Sequence, residues 1–205
     1  MTSLSSDFHL FSAADIVNLQ SRRATCWVAP FQGPENPPQH GPTMIATATR
    51  LKQTIDAARP RLLAIPEQQA SEKPFHDKWS CKEILGHLLD SAANNRQRIV
   101  RMQGQADIGS FVYDQQQWVT AQHYQTEPWQ PLVEFWYLYN AHLSHVIAHV
   151  DRDTLENLCD MGYSKPATLK FVIEDYVRHV EHHLGQIFGD AGPRERKKWT
   201  SREPD

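Results

Sequence analysis

The chain has 205 residues, enough for one domain with a proper core, and its formal charge of −3 with a pI near 6.4 argues against nucleic acid as the main partner. Three widely spaced cysteines, Cys26, Cys81 and Cys159, exclude a disulfide framework and a thiolate zinc site and suit a reducing compartment. No apolar run approaches the roughly 18 residues that cross a bilayer, and the N-terminus lacks the basic start and apolar centre of a secretory signal, so a soluble, cytoplasmic protein is expected.

Residues 1–41 hold a short amphipathic piece followed by a run rich in proline and glycine from Pro30 to Pro42, and read as a poorly ordered N-terminal extension or linker. Residues 42–190 carry the periodic patterns of a folded domain. From Thr43 to about Ile65, Ile45, Ala48, Leu51, Ile55 and Ala58 form a helical stripe, which Pro60 should kink or end. The second helix has the clearest start: Ser80 followed by Glu83 is a capping box, and Trp79 is placed to staple back onto Ile84. It should run from Cys81 to about Gln103 and stop at Gly104, with Leu85, Leu88, Ala92, Ile99 and Met102 on its apolar face. A polar lane, His87, Ser91, Asn94 and Arg98, flanks that face. It is either the margin of a half-buried helix or the wall of a pocket.

Between Gln105 and Pro131 the periodicity fades, as in a long crossover or a lid, with short helical pieces around Trp118. A third long helix follows from Pro131 to about Val150, with Leu132, Phe135, Trp136, Tyr139, Leu143, Val146 and Val150 facing inward. Of its histidines, His142 is the candidate pocket residue; His145 and His149 read as ordinary amphipathic positions. A linker through Gly162, Ser164 and Pro166 leads to the fourth helix, about Thr168 to Phe188, and residues 191–205 form a net basic tail. Four long helices without strand signals imply an all-α four-helix bundle, in which sites are assembled from side chains on facing helices.

The fourth helix carries His179 and His183 four residues apart, so both imidazoles project from one face and can reach one ion. Their lane continues back through Tyr176 and Val172 toward the interior, whereas that of His182 runs through Asp175 and Arg178 toward water. Two ligands do not make a site. The strongest third candidate is His87, two turns into the capped helix at the edge of its apolar face.

Three stretches together, Trp79-Ser80-Cys81-Lys82-Glu83-Ile84-Leu85-Gly86-His87-Leu88-Leu89-Asp90, Phe111 to Trp118, and His179-Val180-Glu181-His182-His183-Leu184-Gly185-Gln186-Ile187, resemble the DinB superfamily, especially its YfiT-like branch of metal-dependent hydrolases and thiol transferases. The resemblance spans about Thr43 to Phe188. It implies an up-down-down-up bundle with the long crossover between helices 2 and 3, a divalent metal held by His87, His179 and His183, and a homodimer. Neutral imidazoles suit zinc and nickel, and also iron or copper. Three protein ligands leave a position for water or for a low-molecular-weight thiol as co-substrate, either of which the metal would deprotonate. In the thiol version, Ser91, Asn94 and Arg98 would hold the thiol cofactor's carboxylate, with Arg98 as the clamp. Asp90 and Glu83 are open to outer-shell or proton-transfer roles, although Glu83 already caps its helix. The competing reading is a non-catalytic metal- or ligand-binding stress-response bundle, for which His142 would be the fourth ligand.

Overall fold

Helical periodicity in the sequence becomes helix almost wherever it is strong. The computed structural model describes residues 42–190; the N-terminal extension and the basic tail expected from the sequence lie outside them. Six α-helices are described: α1 (Pro42–Leu63), α2 (Glu67–Ser71), α3 (Cys81–Gly104), α4 (Gln115–Ala121), α5 (Trp129–Ala148) and α6 (Leu169–Phe188). The long ones share one core: α1 packs against α5 and α6, and α3 packs against the same two.

The inner stripe of α1 is Met44, Ala48, Leu51, Ile55, Ala58 and Leu62, at alternating steps of four and three, all essentially buried. Ile45, expected in that stripe, is 46% exposed because Met44 takes the inward position one residue earlier. The helix also continues through Pro60 for three residues. A proline this near the C-terminal end removes a single backbone donor, and the indole Nε1–H of Trp129 takes up the Leu62 carbonyl at 2.9 Å, one of the acceptors a helix end leaves open.

On α3 the capping box is formed as expected: Ser80 Oγ accepts from the Glu83 amide at 3.3 Å and Glu83 Oε2 accepts from the Ser80 amide at 2.9 Å. Trp79, expected to lie against Ile84, has its ring 5.1 Å from that of His87. Inside this helix, Gly86 lets the crossover come close, since a Cβ there would lie 2.1 Å from Tyr124 Cδ2. The Tyr124 ring lies in that space and its hydroxyl reaches Asp90.

The expectation of no strands is corrected. A three-stranded sheet joins the connections: β1 (Asp107–Ser110) pairs in parallel with β2 (Leu158–Asp160), which pairs antiparallel with β3 (Ala167–Thr168). Strands of two to four residues are too short to print an alternating pattern. The crossover from α3 to α5 thus holds β1, then α4 near Trp118, then a 3₁₀ turn at Tyr124–Thr126. In α5, Phe135 is 52% exposed although the sequence stripe placed it inside; Leu132, Val133, Trp136, Asn140, Leu143 and Ile147 form the buried face. Finally, α6 starts at Thr168, whose hydroxyl accepts from the Phe171 amide at 3.2 Å, and ends at Gly189, whose φ of 71° is the left-handed conformation common after a helix.

Candidate metal centre

Packing α3 against α6 brings His87 opposite His179 and His183. Ring centroids lie 5.0 Å apart for His87 and His179, 4.8 Å for His87 and His183, and 4.5 Å for His179 and His183. One ring nitrogen from each falls within 4.8 Å of the others, and Nε2 of His87 is 3.1 Å from Nε2 of His179. With metal–nitrogen bonds of about 2.0–2.1 Å, a tetrahedral site needs nitrogens roughly 3.4 Å apart, so a small adjustment of the rings would let them share one ion. Among the described residues no fourth histidine, cysteine or carboxylate joins the group.

Two of the three outer nitrogens, those of His183 and His179, have a partner behind them. His183 Nδ1 lies 2.9 Å from Gln186 Oε1; a carbonyl oxygen only accepts, so Nδ1 carries the proton and Nε2 keeps its lone pair. The other end of the same amide, Nε2–H of Gln186, donates to His182 Nε2 at 2.8 Å. Ser91 Oγ lies 3.3 Å from His179 Nδ1, while His87 Nδ1 is buried without a partner among the described residues. Burial, and secondarily the neighbouring imidazole, lowers His87 to about 3, and burial lowers His183 to about 4 against the pull of Gln186; His179 is pushed well below its ordinary value by the same causes. All three rings are therefore neutral at pH 7, which is the ligating form. Neutral nitrogens gathered this closely need a proton or a cation between them, so the donor set fits a divalent metal.

Asp90, whose choice between an outer-shell and a proton-transfer role the sequence left open, is buried: Oδ1 accepts from the Tyr124 hydroxyl at 2.7 Å and from the Gln122 amide, and Oδ2 has no partner among the described residues. Burial raises its pKa, and the two hydrogen bonds oppose that. Glu83 serves the capping box and pairs with Lys73 at 2.7 Å, away from the imidazoles' outer nitrogens.

A cavity of about 170 Å³ opens beside His179, lined by Ser91, Asn95, Arg98, Tyr113 and Asp175 among others. Two of the three polar residues expected on its wall, Ser91 and Arg98, are there. Asn94 is buried but turned away, its amide donating to the Asp90 carbonyl at 2.9 Å, and Asn95, one residue on, lines the cavity instead. His142 lines neither of the two cavities described. It is exposed on α5, stacked 6.5 Å from His145, because the inward face of that helix is set by Leu143 and its neighbours one position on. Asp175, assigned to water, is 6% exposed and lines the cavity. Its position four residues before His179 is a signal the sequence contained, whereas Tyr113 and Tyr163 reach the cavity from connections that have no periodicity to read.

No helix among the described residues is long and apolar enough to cross a membrane. Residues 50–187, well over half of the chain, match the family described as the DinB superfamily. No curated protein and no solved structure matches.

Proposed function

As the chain belongs to the DinB superfamily, we propose that it is a metal-dependent enzyme in which His87, His179 and His183 hold one divalent ion, zinc or nickel, in an up-down-down-up four-helix bundle. When bound, such an ion supplies a Lewis acid that lowers the pKa of a coordinated water or low-molecular-weight thiol, which gives hydrolase or thiol S-transferase chemistry. The chain's own part is to keep the imidazoles neutral by burial, to orient them through Gln186 and Ser91, and to hold a small substrate in the adjoining cavity against Ser91 and Arg98. A cytoplasmic homodimer belongs to the same reading.

The observation that carries it is the convergence of exactly those three imidazoles next to a cavity. A purely structural ion would call for a fourth protein ligand; none is present among the described residues, and His142, the candidate, faces outward. The test is to purify the protein, identify its bound metal, and assay bacillithiol, glutathione, mycothiol and cysteine against a generic electrophile, with water alone as the hydrolase arm, before and after chelator. Activity should vanish with chelator and return with metal. Activity indifferent to chelator would refute the metal mechanism.

A further inference from the structure

Arg98 is a buried cation for which the described residues provide no ion pair. It is 4% exposed; Nη2 donates to the Phe111 carbonyl at 2.5 Å, Nη1 donates to Asn95 Oδ1 at 3.2 Å, and Nε–H has no partner among the described residues. Both acceptors are neutral, and a neutral amide side chain could serve them; the charge itself meets the Phe111 ring, 5.4 Å from the guanidinium carbon, a contact weaker than the cost of burying a charge. A guanidinium stays charged even where burial lowers its pKa, as it does here; Asp175 acts on it through space without a direct ion pair among the described residues, and a buried charge without a directly paired counter-ion is costly to keep. Arg98 also lines the cavity beside His179 and, among the described residues, supplies its sole permanent cation.

The rest of the wall restricts which anion fits. Asp175 is buried on the same cavity and its Oδ1 already accepts from Arg178 at 3.0 Å. A dianion at Arg98 would bring two negative charges up to the Asp175 carboxylate, which already draws on both Arg178 and Arg98, whereas a planar monoanion matches the guanidinium fork. Position sets the length. Ser91 touches His179, and Arg98 lies seven residues further along α3, roughly 10 Å along the axis, but its guanidinium reaches back to Asn95, four residues or roughly 6 Å from Ser91. Val112 and Met161 offer apolar surface to whatever spans the interval.

We propose that Arg98 anchors a carboxylate, so that the molecule presented to the three histidines is a slender monocarboxylate whose reacting end lies about one to two helical turns, roughly 6–10 Å, from its acid group. The proposal rests on reading the histidine cluster as the reaction site, but its test does not need the metal. Isothermal titration of the full chain, metal-free, with hexanoate, 1-hexanol and hexyl phosphate should show hexanoate binding at least about tenfold more tightly than either analogue, a ratio typical of one charge-assisted contact. Arg98→Met should abolish the preference, and Arg98→Lys, which keeps the charge, should retain part of it; melting curves establish that each variant is folded. Failure of hexanoate to outbind 1-hexanol on the unaltered chain overturns the proposal whatever the variants do, as does tighter binding of hexyl phosphate or a preference that survives Arg98→Met. A hexanoate preference in a protein that takes up no metal would sink the enzymatic reading and leave the carboxylate subsite standing.

Discussion

The ring of Tyr124 lies where a side chain on Gly86 would be: a Cβ added to that glycine would come within 2.1 Å of Cδ2 and 2.3 Å of Cγ. This contact lets the crossover between α3 and α5 lie against the helix that carries His87, and puts the Tyr124 hydroxyl on Asp90. Gly86→Ala should therefore destabilise the protein by about 1–3 kcal/mol, the usual cost of overpacking, in spite of the gain of up to about 1 kcal/mol that alanine brings to a helix interior. Thermal denaturation should show a melting temperature lowered by several degrees. An unchanged or raised value would mean that the crossover is not seated as described.

Metal affinity should grade with position. Loss of a ligand in His183→Ala should nearly abolish binding. Gln186→Ala, which frees the outer nitrogen of that ring, should weaken it by about 10- to 100-fold, the typical effect of an outer partner. Substituting His142, exposed on α5, should change nothing. Competition with a fluorescent chelator measures all three, and a loss of affinity in His142→Ala would contradict the three-ligand set.

Binding of an ion to the folded chain alone should raise its stability. At a free zinc concentration of 100 times Kd the gain is about 2.7 kcal/mol, and chelator should reverse it. Differential scanning calorimetry with and without zinc reads this directly; coincident transitions at a concentration known to fill the site would exclude a site formed only in the native state.

Acid should unfold the metal-free protein through the same histidines. Their folded pKa values, about 3 for His87 and about 4 for His183, lie below the ordinary 6.5, so the unfolded state binds protons first. The stability these groups contribute is complete above pH 6.5 and is lost as pH falls from there toward 4 and 3, at up to about 1.4 kcal/mol per unit for each ring. Urea denaturation across pH 7 to 4.5 should show this slope, and His87→Gln should make it shallower. Equal slopes for the two proteins would place the acid sensitivity elsewhere.

Much of the site was legible beforehand because its information is local. The four-residue step from His179 to His183, the lane through Tyr176 and Val172, and the capping box that fixes where α3 begins and hence where His87 points all follow from helical geometry. So does the inward stripe from Ala48 to Ala58 on α1. What periodicity leaves undecided is which of two adjacent positions turns inward when both are apolar or both polar: Met44 over Ile45, and Asn95 over Asn94 at the cavity. Those choices depend on the partner helix and on the rotation at which the two faces meet.

The chain's own sequence determined the long helices and the pairing of His179 with His183, since each is written in residues a few positions apart, and it carried the family in three separate stretches taken together. Tertiary structure alone decided that Asp175 is buried, that Arg98 lines the cavity without a direct ion pair among the described residues, and that two connections meet in a small sheet. The reason is physical: burial and charge pairing are properties of distant segments brought together, and Phe111, Tyr113 and Tyr163 come from connections with no period that would announce where they dock.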